Sequence, residues 1–282
     1  MGKLVAELSA KQSKTHMAKE LGVSRTGLYY TPKLPEKDLK LKSQIEEVLV
    51  HHKAYGHRRI ALELLMNKKR VRRVMKLFGI KPRRTRSIPV KPRDVGQEAT
   101  PIPNLLMGLA VTHPNQVWAS DFTYLPYHGK FMYLATVVDA FTREVKGWVV
   151  GGRHNTELVL NALLDALHKH PAPEIFHSDQ GSEYRSDAFQ KLLATHHIQL
   201  SMSAKGSPWE NGRQESFYSQ FKLELGHPEI FRSVGELIEG IASQIHYYSY
   251  QRIHTALKCP PAVFAKRFEV AESVRQMVRE SV

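Results

Sequence analysis

The chain carries a single cysteine, Cys259, among 282 residues. No internal disulfide can form, which points to a reducing, intracellular protein. Zinc is disfavoured as well: His51, His52 and His57 have no cysteine near them, and their spacing fits no zinc ligand set. No apolar run is long enough to span a membrane, and the opening Met1-Gly-Lys-Leu-Val-Ala-Glu lacks the apolar core of a signal peptide. Internal repeats, low-complexity blocks and sustained heptads are also missing, so nothing in the sequence argues for a coiled coil. Acidic residues are scarce at the front. Residues 1–100 hold 24 Lys/Arg against 9 Asp/Glu, whereas residues 101–282 hold 17 against 18, so the whole excess of +14 sits in the first third. Between Lys68 and Arg93 twelve basic residues occur with no acidic one. That density implies a polyanionic partner, nucleic acid before membrane, because no long apolar stripe accompanies it.

What is present at the front is helical. Residues 14–30 have the pattern of a helix-turn-helix: Ala18 is small where two helices cross, Gly22 sits in the turn, Val23 points inward and Ser24 caps the second helix. Arg25 and Thr26 then open the helix that enters a DNA groove, although an ordinary helical hairpin has the same pattern. A helix is expected from Asp38 to about His52, with Leu41, Ile45, Val48 and Leu49 on one face. A second hairpin follows, marked by Ile60 and Leu64, then Asn67 as a cap, then Val71, Val74 and Phe78 before Gly79. Its last helix exposes Lys68, Lys69, Arg72, Arg73 and Lys76, which suit salt-dependent phosphate contacts with little sequence information. Six prolines between Lys81 and Pro114 then read as a linker.

From Gln116 the period changes. Strands are expected at 116–125, 130–139 and 144–150, joined by short turns at His128-Gly129 and around Thr142. A helix at 156–170 ends at Pro171 and Pro173, a strand at 174–178 leads into His177-Ser-Asp-Gln-Gly-Ser-Glu-Tyr184, and a helix at 186–196 and a strand at 198–202 follow. The order β-β-β-α-β-α-β-α is that of an α/β ribonuclease H-like mixed sheet with flanking helices. In it the first strand is central and the fourth lies beside it, so Asp121 and Asp179 approach each other, and a helix from about Asn211 to Leu225 brings Glu215 to the same edge. Three oxygen ligands without sulfur or nitrogen select Mg²⁺, with Mn²⁺ as a substitute. Two such ions roughly 3.5–4 Å apart serve in-line displacement at phosphorus. Glu210 rivals Glu215 as the third carboxylate. Asp139 reads as a turn residue and His177 as a packing residue. Trp209 and Asn211 are candidates to stack on or bond a nucleotide, and a loop Trp that lids the core is the competing reading.

The ordered motifs WASDFTYL around Asp121, VVDAFTREVKGW from Val137, HSDQGSEY around Asp179, SPWENGRQESFYSQFKLE from Ser207 and YSYQRIHTALKCPPAVF near the end resemble the OrfB-type transposases of insertion sequences. That family is related to retroviral integrases. HKAYGHRRIALELL and NKKRVRRVMKLFGI upstream look like its helical region, so the resemblance covers nearly the whole chain. Two departures stand out: Pro208-Trp-Glu-Asn-Gly-Arg-Gln replaces the more usual Tyr-Asp-Asn-Ala, and Ile253 stands where proline is usual.

The resemblance implies Asp121, Asp179 and Glu215 as a metal-binding D-D-E catalytic triad holding two Mg²⁺ ions, and Lys222 as a DNA contact near the active site. It implies cleavage at the ends of the element and strand transfer on double-stranded DNA, both terminal inverted repeats and target, by at least a dimer. The setting it implies is the bacterial cytoplasm, in association with the nucleoid. The expected division is a helix-turn-helix at 1–34, a second helical DNA-binding module at 35–80, a basic linker at 81–114, a catalytic core at 115–226 and a helical extension at 227–282 that packs on the core. A nuclease on the same fold and a non-catalytic regulator derived from a transposase are the rival functions.

Overall fold

The computed structural model describes residues 13–20, 22, 24, 34–83, 102–203 and 212–268. Helices α1 (Lys14–Glu20), α2 (Leu34–His51), α3 (His57–Glu63) and α4 (Lys68–Leu77) precede strands β1 (Val117–Tyr127), β2 (Lys130–Asp139) and β3 (Val145–Gly151). Then come α5 (Thr156–Lys169), β4 (Ile175–Ser178), α6 (Asp187–Thr195), β5 (Gln199–Met202), α7 (Gly212–Leu225), α8 (Val234–Tyr250) and a last helix, α9, over 261–268. Among the described residues no helix is long and apolar enough to cross a membrane.

Five strands form one mixed sheet in the order β3-β2-β1-β4-β5. β1, β2 and β3 are antiparallel neighbours, whereas β4 and β5 run parallel to β1. This is the ribonuclease H-like arrangement expected from the element order. The β1–β2 connection is a two-residue turn with His128 (φ 44°) and Gly129 (φ 74°) both left-handed, matching the twist of the strands it joins. β1 runs two residues further than its pattern suggests, through Pro126. Proline is tolerated there because β4 pairs with β1 only at Val117–Ala119, which leaves the far end of β1 bonded on one side alone. α2 likewise starts four residues earlier than expected: Pro35 falls in its first turn, where a missing N–H costs nothing.

Both faces of the sheet are covered. On one, Trp118, Ala135, Val137 and Phe176 pack with Leu158, Val159, Ala162, Leu163 and Ala166 of α5 and with Phe189 and Leu193 of α6. A Cβ at Gly147 would lie 2.6 Å from Ala166 N, so α5 rests directly on the backbone of β3. On the other face, Leu125, Tyr127 and Leu134 meet Phe217, Tyr218 and Phe221 of α7 and Leu237, Ile241, Ile245 and Tyr248 of α8. A third core belongs to α2–α4, where Leu41, Ile45, Ile60, Val71 and Val74 are buried.

One expectation is corrected. The stretch 81–114 is not a linker throughout: Leu105, Leu106, Leu109 and Val111 pack on Val117, Ala140 and Ile175. Leu105 N–H donates to Ser201 Oγ, and Pro103 O accepts from Met202 N–H. Prolines suggested an extended spacer, but its apolar residues cover one end of the sheet. Arg25, Thr26 and Val23, in the second half of the expected helix-turn-helix, lie outside the described residues, as does 84–101. Of that motif, Ala18 is buried and Gly22 is left-handed at φ 62°.

The helical unit docks on the C-terminal segment. Ile253 joins its core, Tyr55 Oη accepts the Ile253 N–H at 2.6 Å, and His52 Nδ1 lies 2.8 Å from Tyr247 Oη. Tyr55→Phe leaves a buried N–H without an acceptor and is expected to cost about 1–3 kcal/mol. Urea denaturation of the purified chain checks this, and an unchanged midpoint would refute the importance of the contact.

Candidate active site

β1 and β4 pair in parallel with Trp118 beside Phe176 and Ala119 beside His177. Two residues further along that register stand Asp121 and Asp179, where β4 has ended and the chain turns away. Asp121 Oδ1 accepts its own neighbour's N–H, from Phe122, at 2.8 Å, and Asp179 Oδ1 accepts Gly181 N–H at 3.0 Å. A Cβ at Gly181 would fall 2.8 Å from Glu183 Oε2 and 3.1 Å from Asp179 Oδ1. A larger residue there would press on both carboxylates.

The electrostatics follow from that placement. Burial and then the neighbouring Asp179 push the Asp121 carboxyl up to about 7, with Glu215 adding to the rise and Lys222 opposing it. Asp179 is also raised, by burial first, while the Gly181 N–H holds it back. Two carboxylates so placed resist simultaneous ionisation unless positive charge joins them.

α7 is fixed to β1 at Asp121 and two residues before it. The Gln214 amide donates to Ala119 O at 2.5 Å, and Tyr218 Oη donates to Asp121 O at 2.5 Å and lies 2.8 Å from Thr136 Oγ1. Glu215 sits between these two anchors in the first turn, exposed to solvent. Lys222, half-buried, has Nζ 4.6 Å from the Tyr124 ring centroid. Its ammonium is lowered by burial and raised by Asp121, which places it within electrostatic reach of that carboxylate. Thus Asp121 and Asp179 are side by side and Glu215 faces them from a neighbouring helix. Among the described residues no three acidic, histidine or cysteine side chains are gathered tightly enough to grip one ion. Glu210, Trp209 and Asn211 lie outside the described residues.

The other candidates divide. Lys68, Lys69 and Arg72 are exposed on α4. Arg73 is held in a bidentate pair with buried Asp38, at 2.7 and 2.5 Å, and its guanidinium keeps that carboxyl below the usual range. Asp139 is fully buried and accepts the N–H groups of Asn115, Phe141 and Thr142 at 2.7–2.8 Å, as a turn residue does. His177 is buried with Nδ1 2.9 Å from Ser201 Oγ.

One pair was missed. His154 stacks on Phe122 with ring centroids 5.6 Å apart, and its Nδ1 lies 3.0 Å from Glu183 Oε1. Glu183 in turn raises Asp179. Nothing in the sequence ties His154 to a glutamate 29 residues later.

The fold and the acidic strand ends define the class: a DDE-type polynucleotidyl transferase with an integrase catalytic core. Two family models described as "Integrase core domain" match residues 111–208 and 196–261. The chain is 36% identical over 229 residues to the transposase for insertion sequence element IS904 of Lactococcus lactis subsp. lactis, covering 77% of this chain and 89% of that one. It is 33% identical over 255 residues to the putative transposase InsK for insertion sequence element IS150 of Escherichia coli K12, covering 84% and 87%. In fold it is similar to a chain of the simian T-cell lymphotropic virus intasome solved in complex with the PP2A regulatory subunit B56 gamma, with a TM-score of 0.50 at 16% identity over 79% of this chain and 74% of that chain. The chain belongs to the IS3 family of insertion-sequence transposases.

Gly181→Ala is expected to displace the Asp179 carboxylate while leaving the sheet intact. DNA joining should fall at least tenfold with an unchanged circular dichroism spectrum, and a variant as active as the parent would show that the tight turn is dispensable.

Proposed function

We propose that this transposase binds the terminal inverted repeats of its element, cleaves at the 3′ ends and joins them to target DNA, with Asp121, Asp179 and Glu215 as the catalytic and metal-binding triad. The observation that carries this reading is the pair of carboxylates held together at adjacent strand ends, Asp121 raised to about 7 by burial and by Asp179. Such a pair calls for positive charge, and an all-oxygen donor set suits Mg²⁺ or Mn²⁺. When bound, two such ions activate the attacking oxygen and neutralise the leaving one.

The chain's own residues position the reactants. Tyr218 and Gln214 fix the helix of Glu215 against β1, so the third carboxylate has a defined approach. Gly181 and the Phe122 N–H orient the aspartates. Lys222 sits within reach of the same edge and suits a DNA phosphate beside the cut. Lys68, Lys69 and Arg72 add phosphate contacts remote from the chemistry, and Arg25, Thr26, Trp209 and Asn211 are assigned to DNA by their sequence context.

Residues 1–34 and 35–80 act as DNA-binding modules, 115–226 as the catalytic core and 227–282 as its helical brace. Joining two element ends calls for at least a dimer on DNA. The protein works on the bacterial nucleoid.

A strand-transfer assay with labelled terminal-repeat DNA and Mg²⁺ tests the reading. Asp121→Asn, Asp179→Asn and Glu215→Gln should each lower joining at least a hundredfold while retaining DNA binding in a mobility-shift assay. Glu210→Gln should remain active. If Glu215→Gln joins like the parent and Glu210→Gln does not, the third carboxylate is Glu210.

A further inference from the structure

Behind the catalytic helix lies a cavity of about 250 Å³ where three parts of the chain meet. Arg59 reaches it from α3, Arg143 from the β2–β3 turn, Arg252 and His254 from the segment after α8, and Gln214 from the first turn of α7. Ser216, an exposed residue, lines it as well, so the cavity reaches solvent beside Glu215. The volume far exceeds the share of one water, about 30 Å³ in the liquid, and admits a polyatomic ion.

Charge and hydrogen bonding inside it are unbalanced. Two carboxylates adjoin it: Glu224 is paired with Arg252, accepting its Nε–H at 2.7 Å, and Asp139, which lines the cavity, accepts three backbone N–H groups. His254 is pushed down to about 4, by burial and then by Arg143, Arg252 and Arg59, so the imidazole is neutral and adds no charge. Arg59 is itself lowered, by burial and then by Arg252, a sign that the guanidiniums repel one another across the space. Among the described residues, Arg59 Nε, Gln214 Oε1 and His254 Nδ1 are buried without a hydrogen-bond partner, and all three residues line this cavity. Gln214 is 1% exposed. Buried polar atoms left this way are costly.

We infer that this cavity binds a small oxyanion that keeps a hydroxyl group, with inorganic hydrogen phosphate as its simplest occupant. Arg59, whose buried Nε–H faces this space without a partner, supplies a charged donor of the kind that suits oxyanions, and Arg143 adds positive charge, whereas Arg252 is committed to Glu224 and Gln220. The hydroxyl requirement comes from Gln214. Its amide nitrogen is committed to Ala119 O, an acceptor, so the oxygen is the atom left to meet the ligand. A fully deprotonated oxyanion presents only lone pairs to that oxygen, whereas hydrogen phosphate presents a P–OH. Sulfate, of similar size and charge, has no proton to give at neutral pH. A phosphodiester has none either, so the site is distinct in chemistry from the DNA-phosphate contacts proposed above and does not depend on them. The occupant would tie α3, the β2–β3 turn and the C-terminal segment to the residue that precedes Glu215.

Isothermal titration of the full chain with sodium phosphate and with sodium sulfate, at pH 7 and constant ionic strength, tests this. The expected result is one saturable phosphate site per chain, with sulfate at least tenfold weaker. Arg59→Gln should weaken phosphate at least tenfold, and Lys191→Gln, exposed on α6, should leave it within twofold. If Arg59→Gln does not fold, His254→Gln serves in its place with the same expected loss. Absence of a saturable phosphate site, equal binding of sulfate, or an equal loss in Lys191→Gln would each overturn the inference, and the comparison of the two anions needs no variant.

Discussion

The structure depends on a repulsion that the fold refuses to relieve. Parallel pairing of β1 and β4 aligns Asp121 with Asp179, and neither can swing away while Trp118 and Phe176, their neighbours in register, are buried in the same core. Left to themselves, two carboxylates would separate into water. Here the hydrophobic burial of the flanking residues, each contributing about 1.5–3 kcal/mol, holds them together and part-desolvated. The stored electrostatic cost is the affinity that such a place has for positive charge, which makes packing and chemistry one problem.

The third carboxylate is governed by different physics. Glu215 stands on a helix whose connection to the sheet is polar: an amide and a phenol reach across to the backbone carbonyls of Ala119 and Asp121. Tyr218 is so deeply buried that its phenol is pushed well above the ordinary range, by burial first and then by Asp121, so it remains a neutral donor. Hydrogen bonds to β1 at an aspartate and two residues before it couple the position of the helix to that aspartate. The aspartates are therefore set by the sheet, and the glutamate by the helix that leans on it.

Much of this was readable from residue order. The β-branched and aromatic content of 117–125 and 130–139, the left-handed turn at His128-Gly129 and the apolar stripe of 156–169 have local causes, so the strands and helices fall close to where their patterns place them. Strand adjacency was legible too, since the element order admits few sheets. Three features were not. Residues 105–111 look like spacer because prolines flank them at 101, 103 and 114, and their packing on Val117 and Ile175 depends on a sheet end that no local pattern reveals. Arg73 reads like its basic neighbours on α4, yet it is half-committed to Asp38, 35 residues away on a different helix. His154 reaches Phe122 and Glu183 only because β3 and β4 flank the same central strands. In each case the missing information was long-range contact, not propensity.

The charge asymmetry of the chain now has a structural meaning. The catalytic sheet and its braces are almost neutral overall, so they carry little general attraction for a polyanion, and their acidic edge repels one. Attraction must come from the basic front, whose exposed Lys68, Lys69 and Arg72 lie on a helical unit with its own core. That unit is not tethered by length alone, because His52 bonds to Tyr247 of α8 and Tyr55 to Ile253 just beyond it, and the segment after α8 also carries Arg252, buried and bonded to Glu224 and Gln220 of α7. A continuous chain of packed and hydrogen-bonded groups therefore runs from the basic helices to the helix of Glu215. A polyanion drawn to the front would be held at a fixed offset from the acidic edge, and attraction and repulsion would then act on different parts of the same strand.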